Sequence, residues 1–130
     1  MMSSKYFAIG AIGAALGVAI GAFGAHGLDG KITQHYIDIY ETGVRYHMYH
    51  CIGIMLIALL AGRIGESKLL RAGANLLIAG VVIFSGSLYA LALSSVDVLG
   101  AITPIGGVAF IAGWICVAAA AWRAKGNRAS

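Results

Sequence analysis

The sequence predicts an all-α fold: a four-transmembrane-helix bundle with an extracytoplasmic amphipathic helix between spans 1 and 2. Three observations lead there. Hydrophobic residues fill 60% of the 130 positions and charged residues 11%, where soluble domains run nearer about 45–50% and 25%. The uncharged runs are each close to the roughly 20 residues that cross a hydrocarbon core of about 30 Å. The basic residues gather at the ends of those runs. Residues 1–130 thus form a single integral membrane domain, with spans at about 6–26, 44–62, 72–94 and 103–122, and little chain is left for a separate soluble module.

Tyr6 to Ala25 holds no charge and follows Lys5. A signal-peptide core spans about 7 to 15 residues and leads to a cleavage site of small residues; this run is longer and leads into His26, so it is read as span 1. The polar stretch Asp29 to Thr42 comes next. It places Ile32, Tyr36, Ile39, Tyr40 and Gly43 on one helical face and Lys31, Gln34, His35, Asp38 and Glu41 on the other, with Ile37 against the pattern. That is the signature of a helix lying at the membrane interface. Span 2 follows and closes on the glycine-rich, basic connection GRIGESKLLR.

Between Arg71 and Arg123 the one charged residue is Asp97, and the run is long enough for two spans and a hairpin. Ser94, Ser95, Asp97 and Gly100 mark the turn. Thr103 before Pro104 has the form of an N-cap followed by a first-turn proline, which starts span 4. Trp122 stands near its end, where an interfacial aromatic belongs.

Lys5, Arg63, Lys68, Arg71, Arg123, Lys125 and Arg128 fall on one side of this layout, against Lys31 and Arg45 on the other. Seven against two places both termini in the cytoplasm of a multi-pass protein of the cell (inner) membrane. The net charge of +4 is therefore a topology signal, and nucleic acid is not an expected partner. Cys51 and Cys116 lie in apolar segments, where a thiol acts as a small hydrophobe; neither a disulfide framework nor a zinc spacing follows from them.

Glycine occurs 19 times. In lipid, apolar burial does not drive helices together, so close approach at small residues must contribute. Gly13, Gly17 and Gly21 repeat every fourth position along span 1, and Gly106 and Gly113 offer a similar face in span 4. These are read as helix-packing residues, in preference to the lining of a pore.

The stretches GAFGAHGL, residues 21–28, and TGVRYHMYH, residues 42–50, resemble the YgdD/YwdK-like family of small integral membrane proteins, domain of unknown function 423, to which transmembrane protein 256 is related. The resemblance covers nearly the whole chain. It implies a four-helix membrane topology and no particular biochemical activity. The family's Gly-Ala-Phe-Gly-Ala-His element is matched by Gly21, Ala22, Phe23, Gly24, Ala25 and His26. Its second element is matched by Thr42, Gly43, Tyr46 and His50, with His47 where the family typically has glutamine and Cys51 where a small residue is common.

The predicted topology brings His26, at the outer end of span 1, to the same depth as Arg45, His47 and His50, at the outer start of span 2. A structural reading has Arg45 neutralised by Glu41 one turn away, with the histidines cross-linking span ends. A ligand site for a lipid, quinone or small anion takes Arg45 as the charge, His26 and His50 as hydrogen-bond partners, and Tyr46 and Tyr49 as walls. A haem or copper site draws on His26, His47 and His50. Transport gated by histidine protonation is chemically reasonable, yet no acidic residue falls mid-membrane and Asn75 is the one amide in an apolar span. No catalytic residues are assigned: Ser85 and Ser87 lie deep in span 3 without a base, and are read as bonding carbonyls of their own helix.

The expected function is that of a non-enzymatic accessory, structural or ligand-binding membrane subunit. A small transporter or channel is the first alternative, and a haem- or copper-binding protein the second. No cofactor is assigned, with haem, quinone and copper left open. The expected partners are the lipid bilayer and either further copies of the chain or a larger membrane complex.

Overall fold

A computed structural model describes residues 2–129, and among them there are helices and turns but no strand. Helix α1 is Met2–Gly27, α2 is Gln34–Ile64, α3 is Lys68–Gly80, α4 is Gly86–Ser94 and α5 is Thr103–Ala129. A π-helical turn, Val81–Ser85, joins α3 to α4 without a break, and a 3-10 turn, Asp97–Ala101, leads into α5. Four helical rods result, each long and apolar enough to cross a membrane.

Local chemistry sets the ends. Gly65 adopts φ 94°, a left-handed conformation that costs glycine little, and its N–H donates to Ala61 O at the end of α2. Ser67 caps α3, its Oγ accepting from Leu70 N at 3.1 Å. Ser95, at φ 61°, ends α4 by donating its N–H to Leu91 O, while Ser94 Oγ accepts from Val96 N. The Thr103 hydroxyl pairs with Ser87 Oγ at 2.6 Å and so joins the start of α5 to α4. At the far end of α5, exposed Trp122 carries Lys125 Nζ 5.3 Å over its ring.

The polar stretch after α1 is helical from Gln34, as its periodicity requires, but it is the first turns of α2 and not a separate helix lying in the interface. Gly43, which reads as a break in the sequence, is buried; a methyl there would stand 2.8 Å from the Tyr89 ring. In lipid a glycine inside a helix is a contact point more than a hinge. At about 1.5 Å per residue, the 31 residues of α2 run well beyond a hydrocarbon core of about 30 Å.

Helix α2 is the axis of the bundle. It packs against the α3–α4 rod, α5 closes on that rod, and α1 lies along α2 with little approach to the other helices. Glycines set the seams. A methyl at Gly13 would stand 2.5 Å from Cys51 Sγ, one at Gly21 3.2 Å from Val44, and those at Gly17 and Gly24 would meet Met48 and Tyr40. In the other seam Gly106 abuts the backbone of Phe84, and a methyl on Gly113 would come 3.1 Å from Gly73 O. All five packing glycines named from the sequence face helices of their own chain.

This register fixes depth. With Gly24 beside Tyr40, Gly17 beside Met48 and Gly10 beside Met55, the uncharged run of α1 lies alongside roughly residues 39–58 of α2. His47 and His50 flank the middle of that stretch. They stand deep in the bundle and not at its outer surface, because α2 begins about ten residues before the expected start of its span.

Candidate functional site

The residues that cluster in the sequence at positions 45–50 divide among three faces of α2, although the Tyr46 ring still lies 6.0 Å from that of His50 and 6.1 Å from that of Tyr49. Successive helical residues point about 100° apart, so Arg45 and Tyr49, Tyr46 and His50, and His47 face three directions.

His47 faces inward and is 6% exposed. Its Nε2 lies 2.7 Å from Gly13 O on α1 and its Nδ1 2.9 Å from the Tyr89 hydroxyl on α4. A carbonyl can only accept, so Nε2 carries the proton, and a neutral ring then accepts the Tyr89 O–H at Nδ1. Gly17, one turn beyond Gly13, leaves room for the ring; a methyl there would stand 3.3 Å from His47 Cδ2. One side chain thus ties three helices together at mid-depth.

Tyr46 and His50 face α5. His50 Nδ1–H donates to Tyr46 O at 2.7 Å, which leaves Nε2 with its lone pair. The His50 ring stacks on Phe110 with centroids 3.5 Å apart, and Tyr46, Phe84 and Trp114 complete the aromatic group. Gly80 and Gly53 admit the rings of Phe110 and Trp114.

Arg45 and Tyr49 are exposed and line a crevice of about 400 Å³ beside α1, with Glu41 one turn toward the start of α2. Arg45 and Glu41 form no ion pair; among the described residues the pair shown is Arg71–Glu66, at 3.8 Å. Their side chains take separate places on the crevice wall. His26 is exposed at the end of α1. By the register it lies near residue 38 of α2, about 18 Å along the axis from His50. The meeting of His26 with the α2 histidines does not occur. Nor are His26, His47 and His50 gathered as a metal site: among the described residues no three His, Cys, Asp or Glu side chains come together.

The serines divide. Ser87 Oγ donates to Phe84 O within its own rod or is shared with Thr103. Ser85 is fully buried and donates to Gly43 O of α2 at 2.7 Å, a cross-helix bond where an intrahelical one was expected. Burial behind a glycine explains it: Gly43 has no side chain to shield its neighbour's approach.

Because α1 packs on α2 and stands off the α3–α4 rod, a lateral groove of about 500 Å³ runs between them. Ile9, Ile12 and Leu16 form one wall and Ile78, Val81 and Val82 the other; His47, Cys51 and Tyr89 are the polar side chains lining it. Tyr6 O–H, donating to Asn75 Oδ1 at 2.6 Å, bridges α1 to α3 beyond one end. Tyr89 is the site residue the sequence reading missed. Its signal was present: Ser85 and Tyr89 stand four apart on one face of an apolar run, and a tyrosine in the membrane needs a partner for its hydroxyl.

Four apolar rods around an intramembrane polar pair define a small polytopic α-helical membrane protein. The chain belongs to the family described as Protein of unknown function (DUF423), which matches residues 20–107. The UPF0382 membrane protein YwdK of Bacillus subtilis is 49% identical over 116 residues, covering 89% of this chain and 94% of the relative. UPF0382 membrane proteins of Staphylococcus epidermidis and Staphylococcus aureus are 46% and 44% identical over 121 residues, covering 93% of this chain and 98% of each relative. No solved structure matches the chain.

Proposed function

We propose that this protein is a non-enzymatic, ligand-binding membrane subunit that holds a lipophilic molecule with one hydrogen-bonding head, such as a quinol or a long-chain alcohol. The observation that carries this is the groove between α1 and the α3–α4 rod: apolar walls, a volume of about 500 Å³, and a polar point at His47 and Tyr89. That size is within the range of small-molecule sites. With its proton given to His47, the Tyr89 oxygen keeps lone pairs for a donor on the ligand.

Gly86 supplies the test. It lines the groove, and a methyl built on it meets nothing within 4 Å, so Gly86→Phe directs a bulky side chain from open space into the groove. Organic extracts of the purified full chain, compared by mass spectrometry, should show one lipophilic species near stoichiometric in the parent and depleted in Gly86→Phe. Equal amounts in both would reject the reading.

The same proposal places the protein in the cell membrane with both termini on the cytoplasmic side, supported by the distribution of lysine and arginine. In intact cells a membrane-impermeant reagent should label a single cysteine at Lys31 and not one at Lys125; the converse pattern would reverse that part of the layout.

A further inference from the structure

The crevice on the opposite flank of the α1–α2 seam shares no lining residue with the groove. It holds two opposite charges that do not neutralise each other. Glu41 and Arg45 both line it, both are exposed, and neither has an ion-pair partner among the described residues.

Depth makes this consequential. Val44 lies against Gly21, inside the uncharged run of α1, so Arg45 leaves the backbone below the membrane surface. Helical side chains lean toward the N-terminus of their helix. A long arginine can therefore carry its guanidinium part of a turn outward along the crevice, still below Glu41, whose side chain leans outward in the same way. A charge held at that depth is costly without a counter-ion. The chain does not supply one, so the counter-ion comes from the surroundings.

The order of the two charges identifies it. Glu41 is one turn nearer the surface than Arg45, with Cβ atoms about 6 Å apart at this spacing. Met48 and Tyr49 line the crevice on its deeper side. From the membrane centre outward the wall therefore reads apolar, cationic, anionic. A zwitterionic phospholipid at the same interface reads acyl chain, phosphate, ammonium. We infer that the Glu41–Arg45 crevice binds the headgroup of a zwitterionic phospholipid bearing a primary amine, with the phosphate on Arg45, the ammonium on Glu41 and the upper acyl chain along Met48 and Tyr49. Phosphatidylglycerol satisfies Arg45 but places an uncharged glycerol beside Glu41, which is left without a cation.

Native mass spectrometry of the full chain tests this, with phosphatidylethanolamine and phosphatidylglycerol of identical chains supplied in equal amounts. The parent should retain phosphatidylethanolamine in preference. Arg45→Gln should lower retention of both lipids about tenfold, the loss expected for one charge-assisted contact. Glu41→Gln should invert the preference toward phosphatidylglycerol, while Lys125→Gln, distant on α5, should change nothing. The lipid ratio is read within the folded population, so a drop in yield does not obscure it. A parent that prefers phosphatidylglycerol, or a ratio unmoved by Glu41→Gln, overturns the inference. So does equal binding of soluble phosphoethanolamine, which would make the site one for a free solute. Failure here leaves the groove untouched, because Gly86→Phe reads a different cavity.

Discussion

The Tyr89 hydroxyl lies 2.9 Å from His47 Nδ1, and the other nitrogen of the same ring lies 2.7 Å from Gly13 O. Removing one phenolic oxygen therefore frees one face of a ring that joins α1, α2 and α4. Hydrogen bonds between membrane helices contribute about 0.6 kcal/mol on average and up to about 1.7 kcal/mol. Tyr89→Phe should cost an amount in that range in detergent-titrated unfolding. In a double-mutant cycle with His47→Leu the two changes should be less than additive; strict additivity would show that the pair contributes nothing.

The glycines separate into those that abut a neighbour and those that face open space. Gly106→Ala drives a methyl into the backbone of Phe84 and should destabilise by about 1–3 kcal/mol through overpacking. Gly86→Ala meets nothing and should be neutral or stabilising by up to about 1 kcal/mol, since alanine favours the helix. Thermal midpoints of the two variants in one detergent check the contrast.

Phe110 is 4% exposed and stacks on His50. In water, Phe→Ala in a core costs about 3–5 kcal/mol, part of it transfer of apolar surface. In lipid that part falls away and the cavity remains, so Phe110→Ala should cost on the order of 1–3 kcal/mol. Unfolding midpoints measure this, and a water-sized loss would mean that the site is solvated.

His47 and His50 point to different helices and His26 lies turns away. Titration of the full chain with copper(II) or haem should produce no stoichiometric absorbance band and no shift in Tm. A saturable band abolished by His50→Leu would overturn that separation.

The four rods were legible because composition and uncharged length suffice to mark a membrane span. Their starts were less so. Gly43 and the polar residues before it argued for a break, and nothing in the sequence states that a glycine facing Tyr89 and Leu88 is a contact within one long helix. From that boundary came the surface placement of the histidines. The candidate site was legible as a list of side chains but not as a place: rotation about the helix sends Arg45, Tyr46 and His47 to three different neighbours. The spacing of Ser85 and Tyr89 marked one polar face, but their partners, Gly43 O and His47, followed only from the packing of the α3–α4 rod on α2.

Attachment of α1 mainly along α2, with α2 also carrying the α3–α4 rod, has a consequence for biogenesis. Every residue of the α1–α2 seam lies within the first 64 positions, so that seam is complete in sequence before the third helix is made. The later helices then assemble against a template already in place, and the groove acquires its second wall last. On the ligand-binding reading, a lipophilic guest enters from the side of the groove, with no sealed bundle to push through.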